Sequence, residues 1–200
     1  HSVYDSEEFR AKLKDCATSI KVGSVWNAGN IVGPMITNRN EKLLKALDTL
    51  EDGEFWLVPP RFVDKKKYIL APTVKMGVKP GNYSFRTELF GPMLSVCPFD
   101  TLDEAIDLVN GLDYGLTSGI QSLDEAERDK WKNSIMAGNL YINRGITGAI
   151  VNRQPFGGMK LSAFGGGIKA GGPNYCAQFT YISDKPGSKT DYRRSYAEAW

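Results

Sequence analysis

The sequence predicts a three-layer α/β fold, in which helices cover both faces of a sheet that contains parallel strands. The middle of the chain carries this prediction, because short apolar runs alternate there with helical patterns. The predicted elements are a strand over 94–99, a helix from Thr101, a strand over 116–122, a helix through Trp131 and Met136, and a strand over 139–143. A helix that connects two strands of one sheet makes those strands parallel. A length of 200 residues with 42% hydrophobic content is enough for one substantial core.

Two further helices and two further strands are predicted nearer the N-terminus. Apolar residues at three- and four-residue spacing indicate the helices, and runs rich in apolar and aromatic residues indicate the strands. The predicted elements are a helix over 6–20, a loop over 22–34, a helix from Asn38 or Asn40 through Leu50, and strands over 55–63 and 68–78. Pro59 and Pro60 lack an amide proton, so they favour an edge or irregular strand.

Two helix starts carry the capping-box pattern, a Ser or Thr followed three residues later by Glu. Thr101 with Glu104 precedes one apolar stripe, and Ser122 with Glu125 precedes the next. The pattern predicts that each hydroxyl accepts a hydrogen bond from the first turn of its helix.

The amino-acid composition of the chain changes after residue 144. Nine glycines lie in residues 145–173, which predicts a loop built from backbone, the usual place for ligand contacts. A strand is predicted over 174–183, and the polar residues 184–200 predict a tail or linker. We therefore divide the chain into a domain over 1–173, a strand over 174–183 and a tail over 184–200.

Composition excludes several classes of function. Lysine and arginine number 25 against 23 acidic residues, and no basic stripe with interleaved aromatics is present, so we expect no nucleic-acid partner. No apolar run approaches the roughly 20 residues that span a bilayer, so we expect no membrane partner. A single histidine leaves a zinc site with almost no ligands and rules out a Ser/His/Asp triad, so we expect no metal.

The three cysteines are far apart and odd in number. They predict a reducing compartment, which for this chain we take to be the cytoplasm, and not a disulfide framework. Cys16 falls on a helix stripe, Cys97 in an apolar run and Cys176 in the terminal strand, so each is expected to be a small buried hydrophobe. No residue of this chain is therefore predicted to be catalytic.

Four segments, in order, resemble the aldehyde dehydrogenase family. They are Lys21-Val-Gly23 with 32–36, Glu88-Leu-Phe-Gly-Pro92, Asn110 with 114–119, and Gly138-Asn139 with Asn143 and Pro155-Phe-Gly-Gly158. The resemblance covers about residues 1–182, and the order of the set makes it specific. It implies the catalytic domain of the family, with a C-terminal strand used for oligomerisation over 174–183.

The loop over 148–158 and residues 169–175 resemble the glutamate-semialdehyde (pyrroline-5-carboxylate) dehydrogenases within this family, including those fused into proline-utilisation proteins. The resemblance implies that Gly148 and Ala149 anchor the α-carboxylate of the substrate through backbone amides, and that Phe156 lines the aldehyde pocket. It also implies that Glu88 hydrogen-bonds the nicotinamide ribose of NAD, with Phe90 packed nearby.

Each of these residues has a plainer alternative. Glu88 would belong to a turn before the Gly-Pro pair, Phe156 would fill the core, and Gly148 with Ala149 would form an ordinary turn. Ala149 stands where some relatives have serine, and Asn152 where relatives often have glycine, so a different aldehyde substrate remains open.

The family's reaction begins when a cysteine thiolate adds to the aldehyde; hydride then passes to NAD, and a general-base glutamate activates water to release the acid. The family places that cysteine, the glutamate and most of the dinucleotide-binding domain before residue 1. The expected partners are therefore the remainder of the same polypeptide, a small aldehyde and further copies in a homo-oligomer. The alternative of another class is a non-catalytic assembly module with a dehydrogenase fold.

Overall fold

The computed structural model describes residues 2–37, 39–66, 68–150, 157–164 and 175–181. The chain divides into two compact units, and each is described by itself. Unit 1 comprises His1–Leu112 and Asp129–Ile135, and unit 2 comprises Asp113–Arg128 and Met136–Trp200.

Unit 1 holds a mixed sheet, a two-stranded ribbon and five helices within the described residues. These elements are α1 Ser2–Asp5, α2 Glu7–Ser19, α3 Glu41–Asp48, β1 Phe55–Val58, β2 Phe62–Asp64, β3 Ile69–Leu70, β4 Thr73–Met76, α4 Tyr83–Arg86, β5 Met93–Ser95 and α5 Leu102–Asn110. The sheet has the order β1-β4-β5, with β4 antiparallel to β1 and parallel to β5. β2 and β3 pair antiparallel as the ribbon.

The central strand β4 contacts a different helix on each face, because successive side chains of a strand point in opposite directions. Val74 and Met76 belong to a buried cluster with Ala17 of α2. Lys75, which lies between them, extends to the carbonyl oxygen of Ala46 in α3 at 3.0 Å. Helices therefore flank this sheet on both faces in unit 1, while the three-layer arrangement of a whole domain remains a prediction.

The predicted amphipathic helix over 6–20 is confirmed as α2. Ser6 caps it by accepting a hydrogen bond from the amide of Phe9 at 3.4 Å. The second predicted helix is confirmed as α3, with Asn40 as its N-cap. It ends at Asp48, so Leu50 lies beyond the helix and is 48% exposed instead of joining its apolar face.

The two long strands predicted over 55–63 and 68–78 are four short ones. β1 ends at Val58, directly before Pro59 and Pro60, and β2 begins after them. The reason is that neither proline can donate to a strand ladder, so the pairing partner changes from β4 to β3 at this point.

Unit 2 contains two strand pairs within its described residues. Its elements are β6 Tyr114–Gly115, β7 Thr117–Ile120, β8 Asn139–Ile142, β9 Met159–Lys160 and a 3-10 helix over Tyr175–Phe179. β7 and β8 pair parallel, which confirms the parallel character predicted for this part of the chain, and β6 pairs antiparallel with β9. The helix α6, Glu125–Ser134, connects β7 to β8 and contributes residues to both units.

The predicted capping boxes are only partly right. Thr101 accepts from the amide of Glu104 at 3.2 Å, as the pattern requires. For α6, however, the carboxylate of Asp124 accepts from the amide of Ala126 at 2.8 Å, and Ser122 instead accepts from the amide of Asp124 at 3.1 Å. An aspartate one position before the helix can therefore take over the cap that the spacing assigned to the serine.

The strand predicted over 174–183 is not found in residues 175–181. Tyr175–Phe179 is a 3-10 helix there, and the amide of Thr180 donates to the carbonyl oxygen of Ala177 at 3.2 Å. A strand needs a neighbour for its backbone groups, and in this segment those groups are satisfied locally. Residues 174 and 182–200, with the rest of the predicted strand and the tail, lie outside the described residues.

No helix in the described part of the chain is long and apolar enough to cross a membrane.

Candidate functional site

Residues Glu88 and Phe90 lie in a short segment of unit 1 that follows α4 and precedes β5. Both side chains are exposed, that of Phe90 to 67%, whereas Leu89 between them is buried and only 8% exposed. Leu89 packs with Leu43 and other apolar residues of α3 and β3. The segment therefore inserts its middle side chain into the core and presents a carboxylate and an aromatic ring on its outer side.

The backbone of this segment has an unusual conformation. Phe90 has φ 51, in the left-handed region that residues with a Cβ seldom occupy. At Gly91 an added Cβ would lie 2.4 Å from Cδ2 of Leu43, so only glycine lets the chain pass this close to α3. The amide of Thr73 then donates to the carbonyl oxygen of Pro92 at 2.9 Å, which joins the segment to β4.

The short helix α4, which leads into this segment, is held by two acidic residues. The amide of Tyr83 donates to Oε2 of Glu51 at 2.6 Å, and the hydroxyl of Ser84 donates to Oε1 of Glu54 at 3.3 Å. Glu54 is itself paired with the buried ammonium of Lys75 at 3.0 Å. The position of α4, and with it the start of the Glu88–Pro92 segment, therefore depends on this polar cluster.

These two side chains fit a nicotinamide dinucleotide by their chemistry. Among the described residues the carboxylate of Glu88 has no hydrogen-bond or ion-pair partner, which leaves its oxygens available to accept from sugar hydroxyls. The exposed ring of Phe90 offers an apolar face to a flat heterocycle. Among the described residues this carboxylate accepts from no backbone amide, so no capping bond supports the alternative in which Glu88 belongs to a capped turn.

Gly148 and Ala149 lie in unit 2, in the loop that follows β8. Gly148 has φ 79, a conformation that favours glycine, and no atom of the described residues lies within 4 Å of the position of a Cβ there. Ala149 is half-buried. The glycine is thus required by its backbone angle and not by crowding, which suits a loop whose amides turn towards a ligand. Phe156 and Asn152 lie outside the described residues, so their predicted roles are untested.

The motif residues Gly138 and Asn139 have a structural role that the sequence did not reveal. Asn139 is buried, and its side-chain amide donates to the carbonyl oxygens of Leu116 at 3.2 Å and Gly157 at 3.0 Å. At Gly138 an added Cβ would lie 2.0 Å from the carbonyl oxygen of Gly157. The start of β8 therefore holds the backbone directly after Phe156. In the sequence, the one indication of this contact was that the Gly-Asn and Phe-Gly-Gly motifs occur together in the family resemblance.

Asn143 and Asn110 are also structural. The side chain of Asn143 accepts from the amide of Ser122 and donates to its carbonyl oxygen, both at 2.9 Å, which ties the end of β8 to the second residue after β7. Asn110 donates to the carbonyl oxygen of Ser134 at 2.9 Å, at the last turn of α6. These two motif positions therefore hold neighbouring elements of the scaffold together.

The cysteines differ from expectation in their burial. Cys16 and Cys176 are exposed and not buried. In α2 the residue that faces the core is Ala17, and Cys16 lies beside it at the edge of the apolar face. Cys97 is half-buried, and burial, with a smaller contribution from the nearby charge of Glu104, raises the pKa of its thiol. A raised pKa disfavours the thiolate, which agrees with the prediction that Cys97 is not a nucleophile.

In the described ranges no group of three or more His, Cys, Asp or Glu side chains could hold a metal ion. Of the sequence-predicted site residues, the structure thus places Glu88 and Phe90 on one segment of unit 1, and Gly148 and Ala149 on one loop of unit 2.

Comparisons with known proteins show the family of the chain. The sequence matches the aldehyde dehydrogenase family over residues 1–184, and the chain belongs to that family. A 1-pyrroline-5-carboxylate dehydrogenase of Bacillus licheniformis is 35% identical over 178 residues, which are 88% of this chain and 33% of that protein. The corresponding protein of Geobacillus kaustophilus is 32% identical over 174 residues, 86% of this chain and 33% of the relative.

Solved structures give the same result. Proline utilization A from Corynebacterium freiburgense matches with a TM-score of 0.83 and 40% identity, over 98% of this chain and 21% of the other. A 1-pyrroline-5-carboxylate dehydrogenase from Thermus, solved with bound NAD, matches with a TM-score of 0.76 and 30% identity, over 86% of this chain and 33% of the other. The chain spans about a third of the length of the curated relatives it matches.

Proposed function

We propose that this chain is the C-terminal part of an NAD-dependent dehydrogenase that oxidises L-glutamate 5-semialdehyde, formed from pyrroline-5-carboxylate, to L-glutamate in proline catabolism. The observation that carries the proposal is that Glu88 and Phe90 are both exposed on a segment anchored by the buried Leu89. Among the described residues the carboxylate of Glu88 has no hydrogen-bond or ion-pair partner. Relatives named for this activity, and a related structure that holds NAD, support it.

In this reaction the residues of this chain would bind and orient the cofactor and the substrate. The carboxylate of Glu88 would accept hydrogen bonds from ribose hydroxyls, and the ring of Phe90 would exclude water from one side of the bound heterocycle. NAD supplies a hydride acceptor when bound. Backbone amides near Gly148 and Ala149 would hold the substrate carboxylate, and Phe156 would line the pocket for its aldehyde end.

The remaining parts of the proposal concern the rest of the protein. We propose that the nucleophilic cysteine, the general base and the dinucleotide-binding domain are supplied by the same polypeptide outside these 200 residues, so that the 200 residues alone are inactive. We also propose a three-layer catalytic domain, a homo-oligomer and a location in the cytoplasm.

The test uses the longer polypeptide that contains this chain. We expect it to bind NAD in a calorimetric titration and to form NADH when the semialdehyde is added. Glu88→Gln should keep the size of the side chain but replace a charged acceptor by an amide, and should raise the Kd for NAD about tenfold, as expected for a lost charge-assisted hydrogen bond of about 1.5 kcal/mol. Glu125→Gln, at an exposed position in the first turn of α6, is the matched control and should bind NAD as the unchanged protein does.

A folded long polypeptide that neither binds NAD nor oxidises the semialdehyde would refute the enzyme assignment and favour an assembly module. Comparison with an aldehyde of similar length that lacks the carboxylate tests the substrate. Equal kcat/KM for the two aldehydes would refute the proposed carboxylate anchor while leaving the dehydrogenase intact.

A further inference from the structure

The side chain of Asn40 connects the start of α3 to the candidate cofactor segment. Its Oδ1 accepts from the amide of Leu43 at 3.1 Å, and its Nδ2 donates to the carbonyl oxygen of Leu89 at 2.7 Å. We propose that Asn40 is a positioning residue that sets the orientation of Glu88 and Phe90 for dinucleotide binding. This inference rests on the proposed binding of NAD by those two residues.

The amide of Asn40 matches both of its partners. One partner is an N–H group and needs an acceptor, while the other is a carbonyl oxygen and needs a donor. Rotating the amide by half a turn would place donor against donor and acceptor against acceptor, so the orientation of the side chain follows from its partners. A serine hydroxyl can also accept and donate, but from a single atom close to the backbone, whereas asparagine carries its acceptor and its donor on separate atoms. Its Nδ2 joins residues that are 49 positions apart.

The bond to Leu89 acts on the peptide plane between Leu89 and Phe90. The carbonyl oxygen of Leu89 lies in the same plane as the amide of Phe90. A hydrogen bond that holds this oxygen therefore also holds the N–Cα bond of Phe90, about which the left-handed φ of 51 is measured. Burial of the Leu89 side chain anchors the segment but is not directional. The hydrogen bond from Asn40 supplies the direction that the apolar contact lacks, and resists relaxation of Phe90 to a more common backbone angle.

A plain helix cap is the competing explanation, and it makes different predictions. Serine and aspartate cap helices about as well as asparagine does. Asn40→Ser therefore keeps the cap of α3 but cannot also reach the carbonyl oxygen of Leu89. Asn40→Asp keeps the cap, yet replaces the donor by an oxygen that repels that carbonyl. If Asn40 were only a cap, both variants would bind NAD normally, and the aspartate would be at least as stable because its charge suits a helix N-terminus.

The experiment measures NAD binding, steady-state kinetics and thermal unfolding of the longer polypeptide. For Asn40→Ser we expect the Kd and the KM for NAD to rise about fivefold, the factor for the loss of one hydrogen bond, with a smaller change in kcat and an unfolding midpoint near that of the unchanged protein. For Asn40→Asp we expect a larger rise in Kd. Thr101→Ala, which removes the cap bond to Glu104 in α5 of the same unit, is the control and should lower the midpoint without changing the Kd.

Normal NAD affinity in both Asn40 variants overturns the positioning role and leaves the proposed function standing. An unchanged protein that is folded but does not bind NAD overturns the proposed function itself, and the positioning role with it.

Discussion

The ammonium of Lys75 lies 3.0 Å from Oε2 of Glu54, and both side chains are sealed from solvent. Lys75 also donates to the carbonyl oxygens of Ala46 at 3.0 Å and Thr49 at 2.7 Å, at the C-terminal end of α3. All three donors of the ammonium are therefore satisfied, and its charge complements the negative end of the helix. The pair joins β4, α3 and the loop before β1 within unit 1.

We expect Lys75→Met to destabilise the protein by about 3–5 kcal/mol, because the carboxylate of Glu54 would remain buried without its cation. Glu54→Gln should cost a similar amount, and the double variant should cost less than the sum of the two, since no unpaired charge remains. Denaturant unfolding of all three measures this. The exposed pair of Lys79 and Asp52 is the control, and Lys79→Met should leave the unfolding midpoint almost unchanged.

Gly91 and Leu43 form a second testable contact. An added methyl at residue 91 would lie 2.4 Å from Cδ2 of Leu43, so Gly91→Ala should destabilise the protein by about 1–3 kcal/mol through overpacking. In a Leu43→Ala background the same change should cost clearly less, because the obstructing methyls are gone. Equal costs of Gly91→Ala in the two backgrounds, measured by chemical denaturation, would contradict the contact.

Gly148 and Gly145, in the proposed substrate loop, allow the effect of a positive φ to be tested by itself. Neither glycine has an atom of the described residues within 4 Å of its added Cβ, but of the two only Gly148 has a positive φ, of 79. We expect Gly148→Ala to distort the loop and to raise the KM for the semialdehyde several-fold, with little change in the KM for NAD. Gly145→Ala should change neither constant. A normal semialdehyde KM for Gly148→Ala would remove this residue from the substrate site.

Cys97 should make stability fall at alkaline pH. Burial raises the pKa of its thiol, so the folded protein resists the deprotonation that the unfolded chain undergoes freely. The unfolded state then binds fewer protons than the folded state from about pH 8.5 upwards, and the free energy of unfolding decreases as pH rises through that range. Unfolding midpoints between pH 8 and 10.5 should fall less steeply in Cys97→Ala than in the unchanged protein. Cys16→Ala, at an exposed thiol, should leave the slope unchanged.

The helices and their caps were largely predictable from the sequence. Ser6, Asn40 and Thr101 each precede an apolar stripe of period 3.6, and each caps the expected helix. Local hydrogen bonds and the spacing of apolar residues are properties of a few adjacent residues, so they can be read without knowledge of the fold. The sequence also identified Glu88 and Phe90 through a motif, and the structure shows both exposed.

Long-range contacts were not predictable in this way. Lys75 lies in an apolar strand pattern, and only the folded chain brings Glu54 and the end of α3 to its ammonium. Asn40 could be recognised as a cap, but its bond to Leu89 joins segments that are 49 residues apart. Tyr175–Phe179 has a strand-like composition, yet its backbone closes into local turns, and no strand among the described residues pairs with it.

The sequence by itself therefore determined the family, the helix starts and the identity of the candidate cofactor residues, because those features depend on local spacing and on ordered motifs. Only the tertiary structure decided which side chains orient the Glu88–Pro92 segment, where the prolines divide the sheet, and why Gly91 and Gly138 must be glycines. These depend on atoms from distant parts of the chain that meet within a few ångströms, a distance that no one-dimensional pattern records.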